Sequence, residues 1–134
     1  MPEVYVLDSF ALLSFYQKEK GFRVVKKILQ RAGKSEVKIF LSEINAGEIF
    51  YLICKRRGEE KAKTVLANLW TLPIEFVLPK REHILAAARF KSKKSISYAD
   101  CFVLEIAVRE KAKVVTGDPE FKMFADTVDI FWLE

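Results

Sequence analysis

Five short apolar runs alternate with longer segments of helical spacing, and this alternation constrains the fold more than any other feature of the chain. Residues 4–7 are β-branched or apolar and stop at Asp8, which reads as a buried strand meeting a polar edge. Residues 10–19 then read as helix. Residues 21–34 place Phe22, Val25, Ile28, Leu29 and Ala32 at helical spacing and close on Gly33. A second strand at 37–42 ends on Ser42, a residue type that caps helix starts. The helix it opens, 43–57, is expected to bury Ile44, Ile49, Phe50 and Ile53 and to stop at Gly58. Further segments read as helix 59–70, strand 74–79 shut off by Pro79, helix 80–91 and a polar, basic loop at 91–97. Helix 98–111, strand 113–116, a Gly117-Asp118-Pro119 turn, a short helix at 120–125 and a strand at 128–133 complete the order.

Strands alternating with helices predict an α/β fold, a parallel sheet covered by helices on both faces. Right-handed crossovers place all strand C-termini along one edge. With 134 residues and no linker, repeat or low-complexity segment, one domain over 1–134 is expected. A 51% hydrophobic content supplies a core without staples. Cys54 and Cys101 lie in apolar helical stretches with no metal-ligand spacing and read as buried, reduced thiols. No signal-peptide pattern and no apolar run long enough to span a bilayer is present, so a cytoplasmic protein is expected. The net charge of +5 lies in the N-terminal half. Basic clusters at Lys55-Arg56-Arg57 and at Arg89, Lys91, Lys93 and Lys94 are compatible with a polyanionic partner, and equally with solvated helix faces.

In an open parallel sheet the ligand crevice lies beyond the strand C-termini, and four acids converge there. Asp8 follows the first strand, Asp118 follows the 113–116 strand after one glycine, and Asp100 opens the helix leading into that strand. Glu48 lies just over one turn into the helix after the second strand. Three of the four have an ordinary alternative at a helix start. Asp8 has the position of an N-cap, Ser97-x-x-Asp100 matches a capping box, and Asp118-Pro119 resembles an N-cap with proline at the first helical position. Glu48 is harder to explain away; its ordinary alternative is an exposed glutamate at the margin of the helix's apolar stripe. Its neighbours at helical spacing are Ile44, Asn45, Tyr51 and Leu52, a largely apolar stripe on which a carboxylate needs a partner. Four clustered carboxylates repel one another unless a cation joins them, and the hard cations Mg²⁺ and Mn²⁺ prefer such oxygen donors. Zinc is poorly served, because His83 is the one histidine.

The segments VYVLDS, SEINAGEIFYL, ISYADCFVLEIA and VVTGDPEF, in this order and spanning essentially the whole chain, resemble the PIN-domain nucleases, and specifically the VapC-type toxins. The resemblance implies an α/β/α sandwich and a Mg²⁺- or Mn²⁺-dependent endoribonuclease. Asp8, Glu48, Asp100 and Asp118 would form its metal site, supported by Ser9, Asn45 and Thr116. Hydrolysis by an activated water would leave a 5′-phosphate and a 3′-hydroxyl. Lys55, Arg56, Lys91, Lys93 and Lys94 are the candidates to offset repulsion between the nest and the RNA phosphates. A small cognate antitoxin protein and a homodimer are the implied partners. Phe50, Tyr51, Trp70 and Trp132 are apolar residues available to an interface, although core packing accounts for them as well. Phe10 departs from the family's smaller or polar residue and bears on the shape of the pocket floor.

Rival α/β functions fail on specific residues. A phosphatase of the haloacid-dehalogenase type needs Asp-x-Asp where the chain reads Asp8-Ser9-Phe10, and a dinucleotide enzyme needs a GxGxxG that is absent. A structure-specific DNA nuclease, and an inert nucleic-acid-binding module, remain as alternatives to the endoribonuclease.

Overall fold

The computed structural model describes residues 2–133. Its elements run β1 (Glu3–Leu7), α1 (Ser9–Gln17), α2 (Phe22–Gly33), β2 (Val37–Ser42), α3 (Glu43–Arg57), α4 (Glu59–Leu69) and β3 (Glu75–Val77). There follow α5 (Arg81–Lys93), α6 (Tyr98–Glu110), β4 (Lys113–Thr116), a 3₁₀ segment (Pro119–Phe124) and β5 (Ile130–Trp132). The five strands pair in parallel throughout, in the order β3-β2-β1-β4-β5.

Strand periodicity divides the core. Tyr5, Leu7, Ile39, Leu41 and Val115 face α1 to α4, where Leu12, Val25, Ile49 and Leu69 meet them. Val6, Phe40 and Val114 face the other way, against Phe102, Leu104, Ile106 and Phe121 of α6 and the 3₁₀ segment. Helices thus cover both faces, giving the expected three-layer α/β/α sandwich. Each fully buried leucine, such as Leu7 or Leu41, contributes about 1.5–3 kcal/mol relative to exposure.

Connections to β2 and β3 lie on one face, and those to β4 and β5 on the other. The direction of winding therefore reverses between β1 and β4, and the crevice of such a sheet opens at that switch. Gly58 makes a tight junction possible nearby in sequence: at φ +90 it ends α3 and starts α4, a conformation L side chains resist.

Several boundaries differ from the sequence expectation. The edge strands shrink to Glu75–Val77 and Ile130–Trp132, because each has a partner on one side only. α5 runs on to Lys93, so Lys91 and Lys93 belong to a helix and the loop begins at Lys94. Ile44 is not buried; it is 40% exposed. The inward face of α3 is Asn45, Ala46, Ile49 and Ile53, and Ile44 is turned a further 100° or so from Asn45. Cys101 is buried and burial pushes its thiol up to about 11, whereas Cys54 is half-buried. Tyr51 and Trp70 are exposed, while Phe50 and Trp132 pack partly into the two cores.

Ser42 caps α3 by accepting the Ile44 N–H at 3.2 Å. Ser42→Ala is expected to cost about 1 kcal/mol, and thermal melting should show a loss of roughly 2–6 °C.

Candidate active site

Asp8 leaves β1 in extended conformation and turns its carboxylate onto two donors. Oδ1 accepts the Ala11 N–H at 2.8 Å, which caps α1, and Oδ2 accepts the Thr116 hydroxyl from the end of β4. Thr116 Oγ1 in turn accepts the Asp118 N–H at 2.9 Å. One buried threonine therefore ties the two acids that flank the sheet's switch point. The capping role of Asp8 is real, and it fixes the carboxylate at the crevice rather than removing it.

Asp118 caps the 3₁₀ segment, its Oδ1 accepting the Glu120 N–H at 3.0 Å with Pro119 next in the chain. Asp100 sits in the first turn of α6, where Ser97 Oγ accepts its backbone N–H at 3.2 Å. Glu48 is half-buried at the margin of α3, with Ile44 and Tyr51 on the solvent side, so the apolar stripe inferred around it is not there. Its partner is Ser9, whose hydroxyl donates to Glu48 Oε1. Asn45 Nδ2 donates to Ser9 Oγ at 3.2 Å, so Ser9 and Asn45 join α1 to α3 beside the carboxylates.

Among the described residues, the tightest group of potential ligand atoms is Asp100, Asp118 and Glu120, one oxygen from each lying within 4.8 Å of the others. The sequence expectation does not include Glu120. Its signal is the short spacing in Asp118-Pro119-Glu120, which a tight 3₁₀ turn brings round to the same side. Asp8 and Glu48 stand outside this trio yet act on it electrostatically. Burial first, then the charges of Asp100 and Asp118, push the Asp8 carboxyl up to about 8 against the opposing hydrogen bonds from Thr116 and Ala11. Burial also drives Asp100 up to about 7; a hydrogen bond between its own side chain and that of Ser97 opposes this, and Asp118, Glu48 and Glu120 add to it.

Such a cluster fits a hard divalent cation. The donors are carboxylate oxygens, the cluster's two most buried acids are uncomfortable as anions, and Asn45 Oδ1 is buried with no hydrogen-bond partner. The lone histidine is engaged elsewhere, His83 Nδ1 accepting the Lys80 N–H at 3.1 Å at the start of α5.

The candidate phosphate-binding residues separate. Lys91 Nζ donates to the Ile96 carbonyl at 2.7 Å, and Lys94 Nζ donates to the Met123 carbonyl and lies 5.1 Å from the Phe124 ring centroid. Both brace the loop that delivers Asp100 to the crevice. Lys93 lines a groove between α5 and α6 with Phe90 and Arg109. Lys55 and Arg56 are exposed in the last turn of α3, and Arg56 donates to Gln17 Oε1 at 3.1 Å.

The fold resembles solved structures at low sequence identity. DNA-bound VapBC2 from Rickettsia felis aligns with a TM-score of 0.74 and 15% identity, covering 98% of this chain and 99% of that one. VapC20 from Mycobacterium tuberculosis, a toxin that cleaves the sarcin–ricin loop, aligns at 0.75 and 13% identity, covering 97% and 99%. DNA-bound VapBC from Salmonella typhimurium aligns at 0.71 and 14%, covering 98% of each chain. No curated protein matches the chain. The PIN domain model matches residues 5–126, spanning both sides of the crevice and all four anticipated acids. The chain belongs to the PIN domain family.

Proposed function

We propose that the chain is a Mg²⁺- or Mn²⁺-dependent endoribonuclease and the toxin of a toxin–antitoxin pair. The observation that carries this reading is the convergence of Asp8, Glu48, Asp100 and Asp118 at one switch point, with Asp8 and Asp100 both shifted towards neutrality by burial and mutual repulsion. Asp8, Asp100, Asp118 and Glu48 would hold the cation, with Glu120 within reach. When bound, the cation supplies positive charge to a phosphate oxygen and acidifies a water.

The remaining work falls to the chain's own residues. Thr116 and the Ala11 N–H hold the Asp8 carboxylate in one orientation, which limits reorganisation as phosphate charge develops. Ser9, itself held by Asn45, fixes Glu48 from α1, and Asp118, whose backbone N–H is held by Thr116, would hold a second cation or orient the attacking water. Lys55 and Arg56 offset repulsion between the nest and the substrate backbone. RNA is favoured over DNA by the likeness to VapC20, which cleaves an RNA loop. The toxin–antitoxin complexes among the similar structures support an antitoxin partner, and exposed Tyr51 and Trp70 are available to a homodimer interface. An RNA substrate and two free thiols fit a cytoplasmic setting. Residues 1–134 act as one unit in this reading. Among the described residues no helix is long and apolar enough to cross a membrane.

Incubation with single-stranded RNA, single-stranded DNA and a structured DNA in Mg²⁺ or Mn²⁺ tests the proposal on a gel. RNA is expected to be cut to 5′-phosphate products and chelator to stop it. Cutting of structured DNA alone would move the reading to a DNA nuclease, and binding without cutting would move it to an inert module.

A further inference from the structure

Phe10 lines the cavity beside α1 and α3. It is 43% exposed on the second residue of α1, with its ring edge against Gly117. A Cβ added to Gly117 would overlap the ring, Cζ lying 2.7 Å from it. Gly117 separates Thr116 from Asp118, so the aromatic face stands at the rim of the acid nest and is held there by backbone contact. From that rim a cavity of about 440 Å³ runs along the groove between α1 and α3, lined by Phe10, Leu13, Gln17, Arg56, Arg57 and, on the acidic side, Glu19. α1 advances roughly 10 Å between Phe10 and Gln17, and Gln17 is the residue that anchors Arg56.

We propose that Phe10 is a stacking platform for a base beside the scissile phosphate, and that the α1–α3 groove leads the same strand to Arg56 and Arg57. Two observations favour a nucleic acid over a protein segment. Phe10 both lines the groove and packs beside Gly117, between Thr116 and Asp118, and the groove's basic residues outnumber its one carboxylate. An aromatic face accepts any base, whereas a pair of guanidinium groups suits successive phosphates. The inference rests on the nuclease reading for its register, since the stacked base is placed relative to the cut.

The test uses short single-stranded ribo-oligonucleotides with the intact protein. Phe10→Leu is expected to raise KM about tenfold with a smaller change in kcat, while Phe10→Trp keeps KM near the parent value. Arg56→Gln with Arg57→Gln should raise KM and flatten its salt dependence. Fluorescence anisotropy with the same oligonucleotides in chelator reads the platform without cleavage. If no RNA is cut yet Phe10→Leu weakens binding, the platform stands and the nuclease reading fails. Unchanged KM and binding in Phe10→Leu would overturn the platform and leave the groove to a protein segment. So would equal impairment by Trp and Leu, or a loss confined to kcat, which would make Phe10 a support for the Gly117 turn.

Discussion

Asp8→Asn and Asp100→Asn are each expected to lower RNA cleavage by about a thousandfold or more, a loss of roughly 4 kcal/mol of transition-state stabilisation. The fold should survive. In Asp8→Asn the side-chain amide oxygen can still accept the Ala11 N–H, and the amide nitrogen can face Thr116 Oγ1, so α1 keeps its cap. At Asp100 the helix-start bond is made by the backbone N–H to Ser97 and does not use the carboxylate. Because both substitutions remove a carboxylate that burial disfavours as an anion, melting in chelator near pH 8 should be unchanged or higher than in the parent. Loss of activity together with a large drop in melting temperature would instead assign these acids to structure.

The second large effect is a stability that falls as pH rises, in the metal-free protein only. Asp8 and Asp100 keep their protons up to about 8 and about 7 when folded, whereas the unfolded chain releases them near pH 4. Between those limits the folded state binds more protons than the unfolded state, so stability declines with rising pH and the decline is complete above the folded values. Acids of the opposite kind, such as Glu3, whose carboxyl is held low by Tyr5 and Arg31, gain their effect at lower pH and have levelled off before this window. In chelator the melting temperature should therefore drop between about pH 5.5 and pH 8.5, by on the order of 10–20 °C. Mn²⁺ should raise it more at the upper end, where no proton has to be displaced, and its binding near neutrality should release protons. A flat chelator profile would show that the two carboxylates are not strained by their surroundings.

The central sheet was legible because β1, β2 and β4 are β-branched runs buried on both faces, a pattern that helices cannot imitate over so few residues. The edge strands were legible in kind and not in length, since one-sided pairing leaves their ends to the flanking loops. Ile44 was misplaced for a specific reason. Periodicity names a stripe, but whether the stripe is centred on Ile44 or Asn45 depends on which neighbour the helix meets, and α3 turns Asn45, Ala46, Ile49 and Ile53 inward. That shift also changes the argument for Glu48, which is held by Ser9 at a half-buried margin rather than stranded among apolar side chains.

The acids after β1 and β4 were readable because strand ends and switch points are fixed by topology. Their helix-capping roles are seen in the structure and are compatible with the proposed one: Asp8 and Asp118 each use a carboxylate oxygen to cap a helix at the end of a central strand. Glu120 was missed, because the short Asp118-Pro119-Glu120 spacing brings it to the other acids only through the tightness of a 3₁₀ turn. The same limit applies to Lys91 and Lys94. A basic cluster in sequence does not reveal that two of its ammonium groups each donate a hydrogen bond to a backbone carbonyl, of Ile96 and of Met123.

The most direct test of a cation-binding acid nest is anomalous diffraction from crystals soaked in Mn²⁺ at about pH 8 in the absence of chelator. A peak is expected among Asp8, Asp100 and Asp118 within carboxylate bonding distance, and its loss in Asp8→Asn crystals. A saturating soak that leaves the nest without a peak, or an undiminished peak in Asp8→Asn, would contradict a cation-binding nest.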